Sequence, residues 1–212
     1  MKRNTRLEIL HTAKALFNER GFNEVSTADI AGALGISKGN LTYHFKRKEE
    51  IMEAIITEIQ DIRPPAAPET LSELDAFFLN LQHVVKDNAF YFWHHAQLSQ
   101  LSSKIRERQN SVYHGNVKKL SHAFQTLQEN GDLRYELFAG EYDRVIDALI
   151  LSSIYWIPFC YLKQEPPAKE LPLQSQSSED QNSYRFHAWA ILYPMLTENG
   201  RMDLEKIISF PK

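Results

Sequence analysis

Apolar residues recur at helical spacing along most of the chain, and signals for strands are scarce. The first helix is predicted by apolar residues on one face and a glycine placed to end it: Ile9, Leu10, Ala13, Leu16, Phe17 and Gly21. A second short helix is predicted from the N-cap residue Ser26 to Gly35. A third is predicted over residues 38–45, and a fourth over 48–62, before a pair of prolines.

Helical spacing continues through the rest of the chain. Five further helices are predicted, over about residues 71–85, 90–93, 113–127, 141–162 and 184–198, with the last one ending before Gly200. Residues 163–183 are polar, contain three prolines and show no period, so we predict a long mobile loop there. The predicted fold class is therefore all-α.

Composition limits the classes of protein that fit this pattern. The 212 residues are 43% hydrophobic, which is enough for a packed core. The longest nearly apolar stretch, residues 148–162, falls short of the roughly 20 residues that a bilayer requires, and the first residues lack the apolar run of a secretory signal. The single cysteine, Cys160, excludes internal disulfides. We therefore expect a soluble, cytoplasmic protein with no membrane partner.

Charge is distributed unevenly along the chain. Residues 1–48 contain nine Lys or Arg and four Asp or Glu, a net charge of +5, so the total of −3 leaves −8 for the remainder. A basic segment joined to an acidic remainder indicates that only the amino-terminal part of the protein binds a polyanion such as a nucleic acid.

A short helix, a glycine-containing turn and a second short helix within a basic segment are typical of a DNA-reading helix-turn-helix. In the second of these helices, Leu41 and Phe45 share one face, whereas Gly39, Asn40 and Tyr43 point the opposite way. A recognition helix needs hydrogen-bonding groups and a glycine that allows close approach on its free face. Residues 46–48 add three cations that can neutralise phosphates. The sequence therefore predicts binding to double-stranded DNA.

The amino-terminal segment resembles the DNA-binding domain of the tetracycline-repressor (TetR) family of bacterial transcriptional regulators. The matching elements are Ile9-Leu10, Ala13, Leu16-Phe17, Gly21-Phe22, Asp29-Ile30-Ala31, Leu34 to Gly39, Leu41, Tyr43-His44-Phe45 and Lys48-Glu49. The resemblance covers about residues 3–63, with the helix-turn-helix at about 26–45. It implies that residues 64–212 form a helical ligand-binding and dimerisation domain, which the fourth helix joins to the DNA-binding domain. Thr42 departs from the second aromatic residue that many members carry.

The resemblance also implies roles for individual residues. Ser37, Lys38, Asn40 and Thr42 would meet base edges or neighbouring phosphates in the major groove, with Gly39 at the point of close approach. The expected phosphate contacts come from residues at both ends of the motif: Thr27, Tyr43, His44 and Lys48.

For the rest of the chain, here called the body (residues 64–212), the resemblance implies a homodimer that binds a palindromic operator. A small apolar or aromatic effector would release the dimer from that operator. The predicted helices 141–162 and 184–198 are the candidates for the dimer interface. We expect a repressor because of the resemblance, since no residue indicates it. The alternative is a DNA-bound scaffold whose body docks a protein partner and senses no ligand.

Several aromatic residues can either line an effector pocket or belong to the hydrophobic core, and the sequence is compatible with both interpretations. They are Phe90, Tyr91, Trp93, Tyr113, Tyr155, Trp156 and Phe159. The histidines form no pair at i, i+4, and the chain has one cysteine, so we expect no metal site. Neither a nucleophile motif nor a phosphate-binding glycine loop occurs, so we expect no enzyme activity and no cofactor.

Overall fold

A computed structural model describes residues 4–59, 66–163 and 183–209. These ranges contain twelve α-helices and no strand, apart from one isolated bridge between Leu133 and Leu196. The helices are α1 (Thr5–Arg20), α2 (Thr27–Leu34), α3 (Lys38–His44), α4 (Lys48–Ala54), α5 (Leu71–Asp87), α6 (Ala89–Trp93), α7 (His95–Leu101), α8 (Ser103–Glu129), α9 (Glu141–Ile154), α10 (Trp156–Leu162), α11 (Tyr184–Leu192) and α12 (Glu198–Ile207). The predicted all-α class is confirmed.

Some of the sequence predictions lie outside the described residues. The predicted end of the fourth helix at residue 62, the two prolines that follow and the domain boundary at residue 63 are among them. So is nearly all of the loop predicted over residues 163–183.

The described residues form two compact units. The first consists of residues 4–59, 86–109 and 157–163. Its core includes the apolar face predicted for α1, where Phe17 packs edge-on against Phe22 with ring centroids 5.1 Å apart. Asn18 joins α1 to the end of α5 and the start of α6, because its amide donates to the carbonyl of Asp87 (2.8 Å) and accepts from the N–H of Phe90 (3.2 Å).

The second unit consists of residues 66–85, 110–156 and 183–209. A buried carboxylate, Asp75, accepts hydrogen bonds from the Arg185 guanidinium at 2.6 Å and from the Trp189 indole at 2.9 Å. A buried charge is tolerated only when it is paired and hydrogen-bonded, so this cluster ties α5 to α11.

Three helix predictions need correction. The fourth helix is α-helical only to Ala54 and continues as a π-helical turn over Ile55–Ile59. The single helix predicted over 141–162 is interrupted at Tyr155, because Pro158 cannot donate to the carbonyl four positions earlier. The helix predicted to end before Gly200 ends instead in a 3₁₀ turn, Tyr193–Met195, which contains a proline.

Gly200 has a different role from the predicted one. It lies inside α12, whose first turn packs directly on the chain at Asp132. A methyl group on Gly200 would overlap the carbonyl oxygen of Asp132 and lie 3.0 Å from its carbonyl carbon. Glycine is therefore required here by close backbone approach and not by a helix end.

Within the described ranges, no single helix has the length and hydropathy of a membrane span. Helices α9 and α10 meet those criteria only when they are counted together across their break.

Candidate nucleic-acid interface

Local hydrogen bonds fix both ends of the helix-turn-helix. Ser26 and Asp29 form a reciprocal capping box at the start of α2, and the hydrogen bonds from the Ser26 hydroxyl and N–H lower the pKa of the Asp29 carboxyl. Gly35 ends α2 with φ of +64°, a left-handed conformation that glycine adopts without strain. The Ser37 hydroxyl then accepts from the N–H of Asn40 at 3.2 Å and caps α3. The turn between the two helices is therefore specified by the sequence.

Helix α3 has one buried face and one open face. Leu41 is fully buried and Phe45, the residue that caps the helix, is 4% exposed. The opposite face is open to solvent, with the Tyr43 side chain 85% exposed. Five further residues predicted to meet DNA are exposed beside it, namely Ser37, Lys38, Gly39, Asn40 and Thr42, while His44 is half-buried. The structure thus brings together on one surface the residues that were predicted for the recognition helix.

The polar groups on this face differ in their availability. The Thr42 hydroxyl donates to the carbonyl of Lys38 at 2.8 Å, so it offers an outside partner an acceptor oxygen and a methyl group. Within the described residues, the Asn40 amide makes no hydrogen bond, and it can both donate and accept. The Tyr43 and His44 rings contact each other edge-on with centroids 5.3 Å apart.

A contact that the sequence did not reveal supports α3 from the side of α1. The Arg6 guanidinium lies 4.8 Å from the centre of the Phe45 ring and forms two hydrogen bonds with the Glu58 carboxylate. Glu58 belongs to the π-helical turn after α4. Arg6 therefore links α1, the end of α3 and that turn, over a separation of 52 residues that no helical period can indicate.

Lys48 is held by the protein itself. Its ammonium donates to the carbonyl of Phe22 at 2.6 Å and lies 4.3 Å from the centre of the Phe22 ring. It also approaches the carbonyl of Asn23 at 3.4 Å. Thr27, the other predicted phosphate contact outside α3, is the first residue of α2 and is half-buried. The role of Lys48 toward a phosphate stays a prediction, and the structure adds an internal role.

The remaining cations beside α3 are exposed. Lys46 and Arg47 lie in the turn before α4, where the Glu50 carboxylate accepts from the N–H of Lys46 at 2.9 Å. The Arg47 guanidinium lies 3.5 Å from the same carboxylate. Because the Arg47 side chain is 75% exposed, its other N–H groups remain accessible to a partner.

The aromatic residues predicted for an effector pocket are distributed over both units. In the first, Phe90 and Tyr91 are buried, Trp93 contacts Tyr161, and Phe159 is 41% exposed. Burial raises the pKa of Tyr91 to about 12, against a smaller opposing effect of its hydrogen bond with Gln109.

In the second unit, Trp156 is buried and packs edge-on against Tyr184. Tyr113 and Tyr155 are exposed, and the Tyr113 hydroxyl donates to the Asp147 carboxylate at 3.1 Å, which raises its pKa. A pocket of about 480 Å³ in this unit is lined by other residues and includes none of the seven predicted aromatics.

No group of three or more histidine, cysteine, aspartate or glutamate side chains that could hold a metal ion occurs among the residues placed by the structure. Burial lowers the pKa of His94 and His95 and raises that of the half-buried Cys160 thiol.

Two family models match the chain. The model described as bacterial regulatory proteins, tetR family, matches residues 9–55, and the model described as bacterial transcriptional repressor matches residues 49–204. The chain belongs to the TetR family of bacterial transcriptional regulators. It is therefore a DNA-binding transcriptional regulator, and regulators of this family are dimers that bind operators.

Similar proteins agree with this TetR-family assignment. The probable transcriptional regulator YttP of Bacillus subtilis is 25% identical over 171 residues, which are 75% of this chain and 79% of that protein. The regulator UidR of Escherichia coli K12 is 40% identical over 57 residues, but the match spans only 29% of UidR and 27% of this chain.

Solved structures share the fold of this TetR-family member. A TetR-family regulator from Marinobacter aquaeolei is 20% identical, with a TM-score of 0.74 over 97% of both chains. A putative regulator from Saccharomonospora viridis, solved with choline, is 22% identical, with a TM-score of 0.62 over 92% of this chain and 98% of that one.

Proposed function

We propose that this TetR-family regulator is a ligand-responsive dimeric repressor that inserts α3 into the major groove of a palindromic operator. The observation that carries the proposal is the open face of α3, which stands on a buried Leu41 and Phe45 within a segment of net charge +5. Two identical recognition helices can then enter successive major grooves related by a twofold axis.

Base readout is assigned to the exposed polar side chains of α3. Asn40 has an amide with no partner among the residues that the structure describes, so it can pair with an adenine edge, and Thr42 presents a methyl group and an acceptor oxygen. Ser37 and Lys38 lie at the helix start, where they can meet a base edge or a nearby phosphate. Gly39 has no side chain and lets the backbone approach the groove.

Phosphate contacts are assigned to residues around α3. Tyr43 and His44 lie beside each other near the end of the helix, and Thr27 lies at the start of α2, where N–H groups favour an anion. Lys48 donates to two carbonyls and has a third N–H for a phosphate.

The body is assigned the dimer interface and the response to a small molecule. The predicted dimer helices correspond to α9–α10 and α11. The Saccharomonospora viridis regulator has this fold and was solved with choline, which supports a small-molecule effector. An effector lowers operator affinity only if it prefers one spacing of the two recognition helices. The relatives and solved structures named above do not support the alternative in which the body docks a protein partner.

The deciding experiment is a binding-site selection from random duplexes, followed by affinity measurements on the selected site. We expect Tyr43→Ala and Lys48→Ala to weaken binding to every sequence, because phosphate contacts are the same on all DNA. We expect Asn40→Ala to change the preferred sequence at one position by about 1–3 kcal/mol.

Asn199→Ala is the matched control, because Asn199 is an exposed asparagine on α12. It should select the wild-type site with wild-type affinity. If all variants returned the same site and affinity, the assignment of α3 as the reading helix would be wrong.

A further inference from the structure

A concave pocket of about 480 Å³, largely open to solvent, lies within the second unit between the carboxyl-terminal part of α8, the chain that leads into α9 and the first turns of α9. Its lining includes the buried side chains of Phe124 and Ile146. The side chains that decide its chemistry are Tyr135, Glu136, Tyr142 and Asp143. This volume is in the range of small-molecule sites.

Two carboxylates and no lysine or arginine are among the described residues that line the pocket. Glu136 accepts from the N–H of Tyr142 through one oxygen at 2.8 Å, which leaves its second oxygen available. In the described part of the chain, the Asp143 carboxylate has no hydrogen bond and no ion pair.

Two arginines lie near the pocket, and Arg144 lies at its edge, because its guanidinium and the Asp143 carboxylate both lie within 4 Å of one point beside Gly140. The Arg134 guanidinium forms paired hydrogen bonds with Glu141 at 2.8 and 2.9 Å. Arg144 donates to the carbonyl of Gly140 at 2.7 Å and lies 5.9 Å from the centre of the Phe138 ring. Among the described residues, the lining of the pocket is therefore anionic, with the Arg144 guanidinium at its Gly140 edge.

Aromatic residues line the same pocket as these carboxylates. Phe124 and Tyr142 pack edge-on with centroids 5.4 Å apart. The Tyr142 hydroxyl donates to the carbonyl of Arg134, so its proton is not available to a ligand. The Tyr135 side chain is 78% exposed at the rim. Ring faces attract cations, and the attraction adds to that of the carboxylates.

We propose that this pocket binds an organic cation, an amine or quaternary ammonium group carried on an apolar body. The ammonium group would lie between Glu136 and Asp143, and the apolar part would contact Phe124, Tyr142 and Ile146. The carboxylates repel an anion, and a neutral molecule of the same shape gains neither the charge pairs nor the cation–π contacts. The inference rests on the second unit alone and does not depend on DNA binding.

The test is isothermal titration of the full chain with three probes of similar size: benzyltrimethylammonium, benzyl alcohol and benzenesulfonate. Only the cation should bind at millimolar concentration. Glu136→Gln combined with Asp143→Asn should weaken its binding at least about tenfold, because these nearly isosteric changes remove both charges. Tyr135→Leu should weaken it about two- to fivefold through loss of one ring.

Glu205→Gln, at an exposed acid on α12, is the control for the change of net charge and should bind like the wild type. Circular dichroism and thermal midpoints establish that each variant is folded. Equal binding of the cation and benzyl alcohol would overturn the proposal. So would absence of cation binding, or unchanged cation binding in the folded double variant. An effect of the cation on operator affinity is measured separately and bears only on the proposed repressor function.

Discussion

Lys48 makes contacts within the protein and is also assigned a contact with DNA, and different measurements can separate the two. Its ammonium holds the carbonyl of Phe22 at 2.6 Å and covers the Phe22 ring, and it is also assigned to a phosphate. We expect Lys48→Ala to lower stability by about 1–2 kcal/mol, as loss of a charged hydrogen bond does, and to weaken DNA binding as well. Denaturant unfolding and fluorescence anisotropy measure the two effects.

Lys38→Ala is the matched control, because Lys38 is exposed and its ammonium is unpaired in the described residues. It should weaken DNA binding without changing the unfolding midpoint. If Lys48→Ala unfolded at the same denaturant concentration as the wild type, the contacts with Phe22 would contribute nothing to stability.

Glu141 should make stability depend on acid pH. Hydrogen bonds from Arg134, and then from the N–H of Leu137 at 2.7 Å, lower the pKa of Glu141 from 4.5 to about 2. A carboxyl whose pKa is lower in the folded state stabilises that state fully above its ordinary pKa, and the contribution disappears as the pH falls. The loss is therefore expected between about pH 4.5 and pH 2.

We expect Glu141→Gln to have a lower thermal midpoint than the wild type at pH 7 and a shallower decline of that midpoint between about pH 4.5 and 2. Glu205→Gln on α12 serves as the comparison, since Glu205 is exposed and distant in sequence from this cluster. Identical midpoint-against-pH curves for Glu141→Gln and the wild type would contradict this account.

The packing of α12 against the backbone at Asp132 depends on a single glycine. Because a methyl group on Gly200 would overlap the Asp132 carbonyl, Gly200→Ala should destabilise the protein by about 2–3 kcal/mol or more. Gly115→Ala is the control, since nothing lies within 4 Å of the added methyl group in the middle of α8. That change should stabilise by about 0.5–1 kcal/mol through helix propensity. Equal effects of the two substitutions in thermal unfolding would show that the close approach is unimportant.

Helices α1 to α3 were predictable because their signals are local. Ser26, Asp29 and Gly35 mark the two ends of α2 within a few positions of its apolar face, and Gly21 marks the end of α1; the structure uses each of them in that way. The same local features placed Leu41 and Phe45 in the core and left the opposite face of α3 open.

Other features of the structure depend on contacts between residues that are far apart in the sequence. The periodicity of apolar residues gives no information about such contacts. Glycine before a polar segment is typical of a helix end, so the approach of Gly200 to Asp132 could not be foreseen. The link from Arg6 to Glu58 spans 52 positions and involves a π-helical turn that has no simple composition signal. The candidate pocket was missed because aromatic density was used as its signal, whereas its lining combines isolated rings with acids.

For the complete molecule, the proposed twofold dimer predicts the form of the operator. A protected site should contain two inverted half-sites whose centres lie about one helical turn, or a multiple of it, apart. Scrambling one half-site should weaken binding at least about tenfold, because one recognition helix loses its base contacts. Footprinting and anisotropy on matched duplexes measure this. Equal affinity for one and two half-sites would contradict the dimeric mode.

The division of charge along the chain predicts how salt acts on binding. Residues 1–48 carry +5 and the rest carries −8, so attraction to DNA should come from the first segment alone. Each phosphate neutralised by a lysine adds about 0.9 to the slope of log affinity against log salt concentration, so Lys38→Ala and Lys46→Ala should each reduce the slope by about that amount. Lys118→Ala, at an exposed lysine on α8, should leave the slope unchanged. If Lys118→Ala reduced the slope as much as Lys38→Ala, the surface facing DNA would extend into the acidic part of the chain, and α3 would not be the principal contact.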